Sequence, residues 1–283
     1  RAIRAAQFAA RLEFAIAPET MALCRTLDLG GLARERVMGE MEKALTRSRR
    51  PSRCFEALRE MGQLEPWLKE VAALIGVKQR ADCHPEGDAW THTMLVVDEA
   101  AKLRDEAKNP TGLMLAALLH DVGKAVAMQE KDGVIHAYGH ETAGVPLAED
   151  FLRRLTGEKA LCRYVLNMVE LHMKPNMYAA QNSGQKAWNR LFDRSACPED
   201  LLLLAKADHR GRINAAPYAE TERTIRARLS AYEEMMARPH ITGADLLARG
   251  IQPGEEMGRL LEEAHRLRLA GVKKEDALRQ MRL

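Results

Sequence analysis

Apolar positions fall at helical spacing along almost the whole chain. Residues 3–14 form an amphipathic stretch. The next helix opens at Pro18, a residue suited to a first turn, and runs to about Leu27, where Gly30-Gly31 breaks the pattern. A third helix is predicted over 32–46, with Val37, Met38, Met41 and Leu45 on one face. Ser52 is placed to cap a short helix that Gly62 closes, and 66–75 makes another before Gly76. Residues 1–80 therefore read as a bundle-like helical module.

The texture then changes, with more His and Gly. Asp88 is a good N-cap for a helix through about Leu103 that carries His92. Thr111 starts an apolar helix ending in His120-Asp121, and Gly123 marks its close. A Gly-containing loop leads to Gly139-His140-Glu141 and a helix over 140–155. The helix after it, 158–172, is expected to stop at Pro175, and Pro198 opens one that ends at Ala207-Asp208. Beyond lie a charged amphipathic helix over 219–237 and two shorter ones, 243–249 and 254–270, bracketed by Thr242 and Gly271. Three blocks result: 1–80, 81–215 and 216–283. No internal repeat or low-complexity tract interrupts them.

Composition supports an all-α fold. The chain is 46% hydrophobic but only 5% aromatic, and Leu, Ala, Met, Glu and Arg dominate. The five cysteines (Cys24, Cys54, Cys83, Cys162 and Cys197) form no CxxC pair and read as free thiols of a reducing compartment. The longest apolar runs, 113–119 and 201–205, fall far short of a membrane span. No basic-then-apolar leader opens the chain, so a cytoplasmic location without membrane contact is expected. The chain enters helical pattern directly at Arg1, as a piece of a longer protein does.

Net charge is +3, unevenly placed. Residues 1–80 hold fifteen Lys and Arg against ten Asp and Glu, a surplus of five. Arg47, Arg49, Arg50 and Arg53 concentrate it around Pro51. Such a run is either a solvated helix end or a contact for a phosphate backbone.

Chemistry concentrates in the middle block. His92, the adjacent His120-Asp121, His140, His172 and Asp208 stand at the ends or on one face of separate helices. Imidazole nitrogens mixed with hard carboxylate oxygens suit Mn, Ni, Co, Fe or Mg rather than the thiolate-rich tetrahedron of structural zinc. Such sites keep positions open for water or a phosphate oxygen. Lys124, past a glycine in His120-Asp121-Val122-Gly123-Lys124, is placed to hold a substrate phosphate or stabilise a leaving oxygen; its alternative is a cation at a helix end. Arg210 and Arg212, just after Asp208, are similar phosphate-binding candidates. His84, His136 and His209 are at most supporting residues, and His240 and His265 are expected on the surface.

The order His92…His120-Asp121…Asp208 resembles the H…HD…D signature of the HD phosphohydrolase superfamily. The flanking His84-Pro85-Glu86-Gly87-Asp88-Ala89-Trp90-Thr91-His92 and Asp208-His209-Arg210-Gly211-Arg212 look like the HD domain attached to bacterial CCA-adding tRNA nucleotidyltransferases. Arg1-Ala2-Ile3-Arg4-Ala5-Ala6-Gln7-Phe8 resembles the neck of the CCA-adding and poly(A) polymerase family. The run from Glu35 to Lys43 (ERVMGEMEK) resembles a later neck motif, and Ile241-Thr242-Gly243-Ala244-Asp245-Leu246 its tail. Gln7 stands where the family usually has Arg. No DxD or DxE pair occurs, so the carboxylates for nucleotide addition, and the head that carries them, are expected to be absent. Glu275-Asp276-Ala277-Leu278-Arg279 mimics a family motif but reads as a salt-bridged surface helix.

The resemblance implies a metal-dependent phosphodiesterase or phosphatase. His92, His120, Asp121 and Asp208 would bind one divalent ion; with two, Asp121 would bridge them and His140 and His172 would hold the second, whereas with one these two histidines would support the site or the substrate phosphate. Asp121 and Lys124 would serve catalysis, and Lys124, Arg210 and Arg212 the substrate. Substrates would be 2′,3′-cyclic phosphates, 2′-nucleotides or RNA-end phosphates. The other reading makes the chain the tRNA-gripping neck, body and tail of a nucleotidyltransferase, with Arg47, Arg49, Arg50 and Arg53 on the RNA and the HD site secondary. The sequence leaves the oligomeric state open.

Overall fold

Small residues let the first helix bury deeply. Ala2, Ile3, Ala6, Ala9 and Ala10 of α1 (Ala2–Leu12) are all buried, and their shortness brings α3 (Arg34–Arg47) and α4 (Ser52–Glu60) close, with α2 (Pro18–Arg25) before them. The computed structural model describes residues 1–80 and 84–283, so Cys83 lies outside the described residues. The other four cysteines are free thiols. Among the described residues the fold is all-α apart from one two-stranded antiparallel hairpin.

After α5 (Lys69–Ala72) come α6 (Ala89–Leu103), α7 (Pro110–Leu119) and the single turn α8 (Lys124–Ala127). The hairpin of β1 (Gln129–Lys131) and β2 (Val134–His136) pairs Gln129 with His136 and Lys131 with Val134, and leads into α9 (His140–Leu155). Then follow α10 (Lys159–Leu171), α11 (Met173–Ala180), α12 (Gln185–Arg194) and α13 (Pro198–Arg210). The chain ends with α14 (Ala219–Ala237), α15 (Gly243–Leu247), α16 (Glu255–Leu269) and α17 (Lys274–Gln280).

Contacts group these into two compact units, residues 1–176 with 195–219, and residues 177–194 with 220–283. The expected blocks 1–80 and 81–215 lie mostly within the first, because α3 also packs on α7 and α9. At its centre α7 is apolar all round, with every residue of 113–119 fully buried, and α6, α10 and α13 pack around it. In the second unit Ile241, Leu246, Ala264 and Ala277 form a separate small core. His240, expected on the surface, is buried there with its Nε2 against Val272 O. His265 pairs with exposed Asp193, and Arg279 with Asp276.

Several local expectations change. Thr242 does cap α15, in a capping box with Asp245. Ser52 does not cap α4 with its own side chain. Its backbone N and Oγ both donate to Asp98 of α6, at 3.0 and 2.7 Å, so a distant carboxylate serves that helix end. The helix over 66–75 contracts to α5. Pro175 lies in the first turn of α11, where a missing N–H is harmless, instead of stopping the chain. The 124–139 loop holds the hairpin, and α12 was not foreseen.

One buried side chain ties together three of the helices discussed below. Asp200, near the start of α13, accepts from Lys108 N (2.8 Å) and Asn109 N (2.9 Å) at the head of α7, and from Tyr164 Oη (2.6 Å) on α10. Burial and the Asp200 carboxylate push the Tyr164 phenol well up, so it stays a donor. Asp200→Ala strands these buried donors and should cost about 3 kcal/mol, read from the shifted urea midpoint of the helical signal. A midpoint like that of the unmodified chain would contradict this.

Candidate metal centre

The six candidate ligands come from five helices that end, begin or cross at one point. His92 is on α6, His120-Asp121 follow α7, His140 starts α9, His172 follows α10, and Asp208 is on α13. Two glycines permit the approach. A Cβ on Gly123 would stand 2.0 Å from His140 O and 2.5 Å from Gly144 N, so only glycine lets α9 lie against the turn after Asp121. At Gly211 a Cβ would meet Val96 at 2.5 Å, so its absence lets the end of α13 rest on α6, Asp208 beside His92.

Asp121 sits at the middle, 1% exposed. Its Oδ2 faces His120 Nε2 (3.2 Å), His92 Nε2 (3.7 Å) and the Lys124 ammonium (2.6 Å). Its Oδ1 faces His140 Nε2 (3.1 Å) and His172 Nε2 (3.8 Å). Asp208 Oδ1 lies 3.1 Å from His92 Nε2, and its Oδ2 lies 3.5 Å from Arg212 Nη2. The two oxygens of Asp121 thus divide the four imidazoles into two pairs.

Hydrogen bonding on the far side of each ring fixes which nitrogen faces the carboxylates. Nδ1 donates to the carbonyl three residues back in His120 (Ala117, 2.9 Å), His140 (Ala137, 2.8 Å) and His172 (Val169, 2.7 Å), and to Glu86 Oε1 in His92 (2.8 Å). A neutral imidazole whose Nδ1 carries the proton presents a lone pair at Nε2. Four such lone pairs therefore converge on carboxylate oxygens, and His140 and His172 Nε2 lie 3.4 Å apart. Lone pairs facing lone pairs repel unless protons or cations stand between them.

Where no cation intervenes, the carboxylates draw protons instead. Burial would raise Asp121 and Asp208, but His120 and Lys124 beside the one, and the His92 bond and Arg212 beside the other, hold both well below the usual carboxylate range. Burial disfavours protonated His92 and His140, yet the neighbouring carboxylates pull both upward; His172, buried near His120, falls to about 3. Among the described residues, His120 Nε2, Asp121 Oδ2 and Asp208 Oδ2 are buried without a hydrogen bond and have only ion-pair neighbours. Orphaned nitrogen and oxygen donors around one point fit a divalent cation.

Of the other candidates, Lys124 lies on Asp121 and Arg212 on Asp208, while Arg210 is exposed. Arg47 and Arg49 are exposed and Arg53 is half-buried. Arg50 pairs with Asp98, six residues beyond His92, at 3.2 Å. Two residues had no assigned role. Glu86, its side chain fully buried, accepts from His84 Nδ1 and His92 Nδ1, both at 2.8 Å. Burial would raise its pKa, but these two bonds hold it near 2. Gln79 accepts from Lys124 Nζ at 2.6 Å. Both stand in aperiodic loop; the one available signal was a carboxylate two residues after His84.

The HD domain family matches residues 89–229, and residues 13–75 match the family described as the probable RNA and SrmB-binding site of polymerase A. A multifunctional CCA protein of Actinobacillus pleuropneumoniae serotype 5b (strain L20) is 34% identical over 289 residues, covering 96% of this chain and 66% of that protein. Those of Burkholderia cenocepacia (strain HI2424) and Burkholderia pseudomallei (strain 1106a) are 38% and 35% identical over 285 residues, covering 96% of this chain and 64% of theirs. The chain therefore spans just under two thirds of the length of these relatives. The two family matches and the relatives aligned over 96% of the chain make it a member of the CCA-adding nucleotidyltransferase and poly(A) polymerase family, matched over the C-terminal portion of those proteins.

Proposed function

We propose that the chain is a metal-dependent phosphohydrolase acting on nucleotide or RNA-end phosphates. The observation that carries this is the convergence of four Nε2 lone pairs on Asp121 and Asp208, each ring locked from behind by its Nδ1 bond. His92, His120, Asp208 and Asp121 Oδ2 would hold one divalent ion, and His140, His172 and Asp121 Oδ1 a second. Mn, Ni, Co, Fe or Mg held there would polarise a phosphoryl oxygen and make water acidic enough to attack phosphorus.

The chain's own groups do the rest. Lys124 is nine-tenths buried, so its charge acts on a phosphate with little screening and offsets charge growing on the leaving oxygen. Arg212 offers a second cation at the edge, and exposed Arg210 could reach longer substrates. Glu86 keeps the His92 proton on Nδ1, turning its lone pair inward. His120→Ala or Asp121→Ala should lower hydrolysis of 2′,3′-cyclic AMP by more than the roughly 10- to 100-fold that loss of an outer hydrogen-bond partner costs. Helical circular dichroism should change little. Undiminished hydrolysis by both variants would contradict the assignment.

A second reading, RNA binding by the first block, is favoured by the match over 13–75 and by the exposure of Arg47 and Arg49, which among the described residues have no ion-pair partner. Binding of tRNA should then weaken with salt, with a log–log slope of roughly −0.7 to −0.9 per phosphate neutralised. Arg47→Ala and Arg49→Ala should each flatten that slope more than Arg50→Ala, because Asp98 already offsets the Arg50 charge. Equal slopes in all the proteins would return the run to a solvated surface.

A further inference from the structure

Gln79 lies in the loop between α5 and α6, 9% exposed, and that loop is stitched to the start of α6. Gly76 N donates to Asp88 Oδ2 (2.7 Å), Ala89 N to Val77 O (2.9 Å) and Trp90 N to Leu74 O (3.2 Å), and Lys78 bridges to Asp88. The backbone leading into Gln79 is therefore held by the same helix that carries His92. Lys124 Nζ donates to its Oε1 at 2.6 Å, and the same Nζ lies 2.6 Å from Asp121 Oδ2. An ammonium can only donate, so the amide oxygen must face Lys124, which leaves Nε2 as the free end. That Nε2 is buried and, among the described residues, has no hydrogen-bond partner.

A rigid buried amide donor with nothing to donate to, one ammonium away from the central carboxylate, calls for an acceptor that arrives with a ligand. Arg212 repeats the pattern across the site. Its Nη2 is 3.5 Å from Asp208 Oδ2, and its Nε is buried without a hydrogen-bond partner among the described residues. Unused donors beside two cations match a group with several acceptor oxygens and negative charge.

We infer that Gln79 Nε2 donates to a non-bridging oxygen of the substrate phosphate, completing with Lys124 and Arg212 a cradle for a tetrahedral oxyanion. This rests on the phosphohydrolase reading of the metal centre. Gln79 acts both as a direct phosphate contact and as the acceptor that steers the Lys124 ammonium.

The test is calorimetric titration of inorganic phosphate into the manganese-loaded full chain, with manganese affinity measured separately. Gln79→Leu removes donor and acceptor at similar volume. Gln79→Glu keeps an acceptor for Lys124 and replaces the N–H by an anionic oxygen, so it reports even if the leucine variant folds poorly. Phosphate affinity should fall roughly 10- to 100-fold in the leucine variant, the range for a hydrogen bond to a charged group, with manganese affinity unchanged there, and by at least as much in the glutamate variant, where like charge adds to the loss. Phosphate affinity equal to that of the unmodified chain would overturn the role of Gln79 alone, as would an equal loss of manganese affinity, which would make it a structural prop. No phosphate binding by the unmodified, manganese-loaded chain would overturn the reading of the centre together with it.

Discussion

Three carboxylates, Glu86, Asp121 and Asp208, are buried within reach of the same few imidazoles, and the architecture around them follows from keeping them charged there. Removing a carboxylate from water is expensive unless positive charge and hydrogen bonds compensate. Here Lys124, Arg212 and the polarised rings compensate in part, and a divalent ion would supply the remainder. That demand explains why five helices bring their ends or one face to a single point, and why the α7 core beneath is wholly apolar. It also explains why Asp200, far along α13 from Asp208, matters: through Lys108, Asn109 and Tyr164 it fixes α7, α10 and α13 relative to one another.

Much of this was legible in the sequence. Helical periodicity gave the all-α class and most helix positions, since those depend on neighbours three and four residues apart. The six candidate ligands could be named because His120-Asp121 and the histidines sit at helix ends, where local signals place them. Asp121 as a bridge between two ions followed from its place beside His120; which of its oxygens faces which pair of rings could not be read, because that depends on how α9 and α10 arrive. Glu86 and Gln79 were invisible for a related reason. Both lie in aperiodic loop, and Gln79 meets Lys124 across 45 residues of sequence. Pro175 misled because proline breaks helices in their interior but not in their first turn.

The RNA-binding-like segment and the metal centre share α6. Asp98 holds the start of α4 through Ser52 and pairs with Arg50, and Arg104, just past α6, donates to Leu45 O and Ser48 O at the end of α3. The basic run is thus anchored at both sides to the helix that presents His92, which makes it a rigid surface. Arg50, a candidate RNA contact by composition, is partly committed to that anchor.

The central claim is that Asp121 joins two imidazole pairs into a site for two cations. Manganese bound per chain at saturation, measured by equilibrium dialysis and atomic spectroscopy, tests it most directly. The account predicts two ions per chain, falling to one in a His140→Ala/His172→Ala double variant. A chain that binds no manganese, or the same amount in both proteins, would contradict it.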